Sequence, residues 1–167
     1  MTLEEHIKKL QAVQAALPGL LSDAARNATI RAVEAAQEKT PPTADGLSGT
    51  NTRTGELKQH WATDSQTRPE RQGGSYVTHL ANNKQYASFV NDGHRMDKHF
   101  VPGLYPNPYT GQLEYDPGRR DEVGMMVGTK TTYVPGLHMT EAGIEAYDQT
   151  VRRELEKARK KIEEMLK

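Results

Sequence analysis

The chain has 167 residues, 22 basic and 22 acidic side chains, and no cysteine. That length fits one domain of ordinary size. The missing cysteines exclude disulfides and thiolate metal sites. The charges also balance within residues 1–41, 42–140 and 141–167, so no segment has the one-sided basic footprint of a nucleic-acid binder. Leu, Ile, Val and Phe make up about one-sixth of the residues, low for a globular chain, but zero net charge argues against disorder. The expectation is a folded domain with a thin core, exposed helices and long loops, which buries further surface when it assembles. Met1-Thr2-Leu3-Glu4-Glu5 has neither the basic nor the apolar region of a signal peptide. No apolar run approaches the roughly 20 residues that span a bilayer. A soluble protein made in a cytoplasm is expected.

Leu3, Ile7, Leu10, Val13 and Leu17 recur at helical spacing, with Thr2 as N-cap and Glu4 and Glu5 in the first turn. Pro18-Gly19 predicts an interruption. A second helical stretch runs to about Lys39, with an inward stripe of Ala24, Ala25, Ala28, Ala32, Ala35 and Ala36 suited to close packing. Thr40-Pro41-Pro42 ends it, and a polar loop follows to Thr52.

A strand is expected from Leu57, with Trp61 on the same face, then a turn over Thr67 to Gly74. Ser75 to Ala81 is the best strand pattern in the chain and should form a hairpin with the first. Tyr86 to Val90 reads as a short helix capped by Gly93. Residues 94–135 are rich in Pro, Gly and Tyr, and so long an irregular stretch is usually functional or disordered. Within it, Gly124 to Gly128 and Thr131 to Val134 suggest a second hairpin. Ile144, Tyr147, Val151, Leu155, Ala158, Ile162 and Met165 or Leu166 then hold a helical stripe for about six turns. The expected fold is α+β, one domain over 1–167. Helices in 1–40 and 138–167 cover a small antiparallel sheet, with a short helix and a long loop in 53–135.

Three segments resemble one known family in order along the chain. An Ala-rich helix ends in Thr40-Pro41-Pro42 and is followed by Thr54-Gly55-Glu56-Leu57-Lys58. Tyr86-Ala87-Ser88-Phe89-Val90-Asn91-Asp92-Gly93-His94-Arg95 matches a Tyr-Ala-x-x-Val-x-x-Gly signature continued by His-Arg. Val134-Pro135-Gly136-Leu137-His138-Met139 precedes the terminal helix. Together they resemble the small tail-completion, or head–tail joining, proteins of long-tailed DNA phages and prophages. The middle motif is the most specific. The loop from Pro42 to Thr52 and the stretch from Met96 to Tyr133 are longer than that pattern.

The resemblance implies a structural virion protein, located in the tail or neck and assembled in the bacterial cytoplasm. It would complete the tail and join it to the head, with a minor head or neck adaptor as the alternative. Its partners would be further copies of itself in a ring, by family analogy a hexamer, the tail tube or tail terminator, and neck or connector proteins. DNA would only pass through the channel, and no membrane is involved. The motif residues carried over are Thr54, Gly55, Leu57, Tyr86, Ala87, Val90 and Gly93.

Read from the residues themselves, Gly55 allows a turn as the chain enters the sheet. Tyr86, Phe89 and Val90 pack the short helix down. Tyr86, His94 and Arg95 are the candidate interface residues, since Tyr and Arg are favoured at interfaces. Asp92, His94, Asp97 and His99 are of metal-ligand type, but their spacing matches no established site, and a solvated polar loop is expected. No Gly-x-Ser-x-Gly, His-Glu-x-x-His or P-loop pattern occurs, so no catalytic residue, metal or cofactor is expected. Arg152, Arg153, Arg159, Lys160 and Lys161 would serve a nucleic-acid-binding module, against which stand Glu154, Glu156, Glu163 and Glu164. The terminal helix should pack on the sheet, with Arg159 to Lys167 projecting as a docking end.

Overall fold

A computed structural model describes residues 2–41, 55–128 and 133–167. The first element, α1 (Leu3–Lys39), is one helix of 37 residues, about 55 Å long at 1.5 Å per residue. Its start follows from a complete capping box. The Glu5 N–H donates to Thr2 Oγ1 at 3.2 Å, and the Thr2 N–H donates to Glu5 Oε2 at 2.7 Å. Pro18 does not interrupt it, contrary to expectation. Proline costs the helix one hydrogen bond and a clash with the preceding turn, and here packing along the other long helix outweighs that.

That partner is α4 (Met139–Leu166), which lies antiparallel to α1. Asn27 Nδ2 reaches Glu154 Oε2 at 3.1 Å, and Lys9 Nζ reaches the Leu166 carbonyl at 3.4 Å. The expected projecting end, Arg159 to Lys167, is therefore laid along the first half of α1. The terminal helix takes α1 as its main support rather than a sheet. Small residues set the spacing. Ala24, Ala25, Ala28, Ala32 and Ala36 are buried, and a Cβ on Gly143 would stand 2.7 Å from Leu80 Cδ2 and 3.1 Å from the Ala32 carbonyl. Tyr147, Val151 and Ile162 are half-buried along this seam, whereas Ile144 and Leu155 fall outside it and are exposed.

The segment expected to open as a strand at Leu57 is instead a helix, α2 (Glu56–Asp64). Leu57 and Trp61 are four apart, so a helix puts both on one face, and both are buried against α1. Gly55 sits before it with φ 75°, open to glycine at little cost. The expected turn at Thr67 to Gly74 is mostly strand β1 (Gln66–Gln72), with only Gly73-Gly74 turning. It pairs antiparallel with β2 (Ser75–His79), the strand expected from Ser75, so that strand's hairpin partner is β1 rather than the Leu57 segment.

After the short helix α3 (Ala87–Asp92), the chain runs out and back in nested pairs. β3 (Gly93–Arg95) pairs with β8 (Tyr133–Pro135), β4 (His99–Pro102) with β7 (Gly124–Val127), and β5 (Leu104–Pro106) with β6 (Leu113–Tyr115). The strands near Gly124 and Val134 therefore exist, but each pairs with an upstream strand and not with the other. Thr131 and Thr132, like the loop from Pro42 to Thr52, lie outside the described residues. The fold is α+β as expected, and among the described residues the strands divide into four two-stranded ribbons.

The core is thin, as the composition implies. Val33, Ala36, Leu57, Trp61 and Met139 form its centre, with Leu80, Ala87, Val90 and Leu137 packed around it. Thr40 ties three elements together inside it. Its hydroxyl donates to the Ala36 carbonyl at 2.6 Å, accepts from Trp61 Nε1 at 2.8 Å and lies 3.0 Å from Met139 Sδ.

Candidate interface

The second and third sequence motifs, about 45 residues apart in the chain, meet in one joint. The last turn of α3 leaves carbonyls without helical partners. The returning chain supplies them: the Leu137 N–H donates to the Val90 carbonyl at 2.9 Å and the His138 N–H to the Asn91 carbonyl at 3.0 Å. The exchange is reciprocal. The start of α4 has no cap from its own His138, which sits at φ 53°. Asn91 Oδ1 accepts the Thr140 N–H at 2.9 Å and caps α4 from across the joint. Glu141 in the first turn is held below the usual carboxylate range, chiefly by its own backbone N–H, then by His138 and Asn91.

Two glycines permit this approach. Gly93 has φ 84°, and a Cβ there would stand 2.6 Å from the Val134 carbonyl. A Cβ on Gly136 would stand 2.2 Å from the Asn91 carbonyl. No side chain fits at either position without moving backbone. A second tie fixes the far end of α2. Asp64 accepts the Asn83 N–H at 2.9 Å and pairs with His60 Nδ1 at 2.7 Å, and these contacts, in that order, hold its carboxyl below the usual range.

The sequence-selected residues divide among three environments. Leu57 is in the core, Ala87 and Val90 pack against it, and Gly55 precedes α2. Gly93 is the joint. Tyr86, 45% exposed, begins α3, and Arg95 is exposed on β3. His94 lies edge-on to Phe89, with ring centroids 6.0 Å apart. Phe89 itself is 57% exposed and does not pack the helix down as expected, because α3 turns only Ala87 and Val90 inward. Thr54 lies outside the described residues.

Asp92, His94, Asp97 and His99 are not gathered into a cluster. His94 faces the Phe89 carbonyl and His99 the Asp97 carbonyl, and among the described residues no three His, Asp or Glu side chains converge. On α4, Arg159 is shared between Glu156 and Glu163 at 3.2 Å each, and Lys157 pairs with Glu154 at 2.6 Å. Among the described residues, no helix is long and apolar enough to cross a membrane. Local patterning gives no sign that Asn91, Gly136 and Thr40 link distant elements. The partners of Asn91 and Thr40 on other elements stand 21 to 99 residues away, and only the fold reveals them.

The joint, α2 and the helix pair thus define a packing scaffold that leaves Tyr86 and Phe89 at α3 and Arg95 on β3 exposed. Residues 4–93 match the HK97-gp10-like family, described as "Bacteriophage HK97-gp10, putative tail-component". The match covers more than half of the 167 residues, and the chain belongs to this family of phage tail components. It ends at Gly93, so β4 to β7 and α4 lie beyond it. No curated protein and no solved structure matches the chain.

Proposed function

We propose that this tail component completes the phage tail and joins it to the head, by docking and without chemistry. The family carries the tail role. One observation carries the rest: the second and third motifs meet in a reciprocal capping joint, a device for holding helix ends, instead of in a cleft of reactive groups. In this reading the protein is a structural virion part that closes into a ring, a hexamer by family analogy, at the head-proximal end of the tail. Its neighbours are the tail tube or terminator below and the neck above, and DNA crosses the central channel. Such a ring needs a heterologous interface that closes on itself.

The test is electron microscopy of particles made after deletion of the gene. Filled heads beside separate tails of normal length are expected. Intact, infectious virions would overturn the reading.

A further inference from the structure

The nested ribbons β4 to β7 form an arm that lies beyond the family match. Its strands pack mainly on one another, so the arm meets the body chiefly through its base ribbon, β3 and β8. Both base strands run straight into helix ends. β3 begins at Gly93, the residue after α3 ends, and only Gly136, Leu137 and His138 separate β8 from α4. These are the two helix ends that cap each other across the joint.

The bonds across the joint serve the arm and the helix at once. The Tyr133 hydroxyl, on the base ribbon, donates to the Asp92 carbonyl at 3.1 Å, and the Thr140 N–H, in the first turn of α4, donates to Asn91 Oδ1. Two consecutive residues at the end of α3 thus hold both parts. Gly136 packs directly on them: a Cβ there would stand 2.2 Å from the Asn91 carbonyl oxygen and 2.6 Å from the Asp92 carbonyl carbon. The base ribbon therefore cannot slide along the end of α3 without parting these bonds. Among the described residues, only His138 carries a side chain at positive φ, 53°. That backbone costs free energy for any residue other than glycine. The bonds from its own N–H and from Thr140, both to Asn91, hold it there.

We infer that the joint works as a single latch: the base ribbon of the arm and the first turn of α4 open and close together. A load that tilts the arm then uncaps α4, and whatever grips the start of α4 fixes the angle of the arm. Such coupling is reciprocal. Its physical warrant is one element that both sites bias, here Asn91 and Asp92. Its physical basis is local opening in a cooperative unit smaller than the whole protein. The inference goes beyond the tail-joining reading and stands or falls apart from it.

The test is native-state hydrogen exchange on the full-length protein, read amide by amide by NMR. Asn91→Ala removes the side-chain cap of α4 and leaves the β3–β8 backbone pairing in place. It should speed exchange at Thr140 about five-fold, the size of a typical lost cap, and by a similar factor at the β3 and β8 amides. Tyr133→Phe removes one hydroxyl from the base ribbon and should speed Thr140 about two- to ten-fold, the range for one hydrogen bond. Thr2→Ala loses the cap of α1, outside the joint, and should change neither place. Faster exchange at Thr140 alone in Asn91→Ala, an unchanged Thr140 in Tyr133→Phe, or amides already unprotected at either place in the parent would each mean that the two parts open independently, and would overturn the inference. A rise in Thr2→Ala, or an equal rise through the α1 amides, would mean global unfolding and overturn it too. Virions that survive deletion of the gene would sink the joining role and leave this result untouched.

Discussion

At the scale of single residues, the joint depends on what Gly93 lacks. Its φ is positive, and a Cβ there would stand only 2.6 Å from the Val134 carbonyl, which leaves no room for a methyl group. Gly93→Ala should cost about 2 kcal/mol or more, since strain and a backbone clash add. Phe89, three residues before Asp92 on the same short helix, is the contrast. It is mostly exposed, so Phe89→Ala should change stability by no more than about 0.5 kcal/mol. Urea unfolding of the two variants beside the parent checks both values. Equal losses would mean that Phe89 is covered in the folded protein. Sequence patterning assigns Gly93 its capping role correctly but places Phe89 inward. A six-residue helix has too few turns for its apolar residues to reveal which side faces the core.

At the scale of elements, α1 shows tertiary packing overriding a local signal. Pro18 removes the hydrogen bond to the Gln14 carbonyl and crowds the preceding turn. The helix continues because α4 runs alongside it nearly to its start, the two ends meeting at Lys9 and Leu166. The proline penalty therefore remains as stored cost. Pro18→Ala should raise stability by about 2 kcal/mol, within the span of helix propensity differences, read as a higher urea midpoint at unchanged slope. An unchanged midpoint would mean that α1 has already relaxed around the proline. Leu57 and Trp61 show the opposite case. Their spacing suits either a strand face or a helical face, and only burial against Val33 and Ala36 selects the helix.

At the scale of the whole molecule, the chain is a helix pair with a small core at one end and a self-contained arm extending from the joint. The core residues belong to α1, α2, α3, α4 and the segments leading into α3 and α4, and none comes from β4 to β7. Replacing residues 99–127 with a short Gly-Ser link should therefore leave the helical circular dichroism melt of the body within a few degrees of the parent. A collapse in the melting temperature would show that the arm is part of the folding unit. Long insertions at a surface position cost little closure entropy, which is how such an arm can be added to a scaffold without undoing it.

Local patterning suffices for the two long helices, the capped start at Thr2, the Ala-lined seam, the strand after Ser75, the short helix ending at Gly93 and the α+β class. Each of these is written in local spacing or in a cap within four residues. The ordered motifs also carry the family resemblance. Other features were set by long-range contacts alone: Pro18 is bridged, Leu57 and Trp61 lie on a helix, and the strands of 93–135 nest instead of forming successive hairpins. Asn91 likewise caps a helix 49 residues away. Those choices are made by partners distant in the chain, whose contacts appear only once the fold has brought them together.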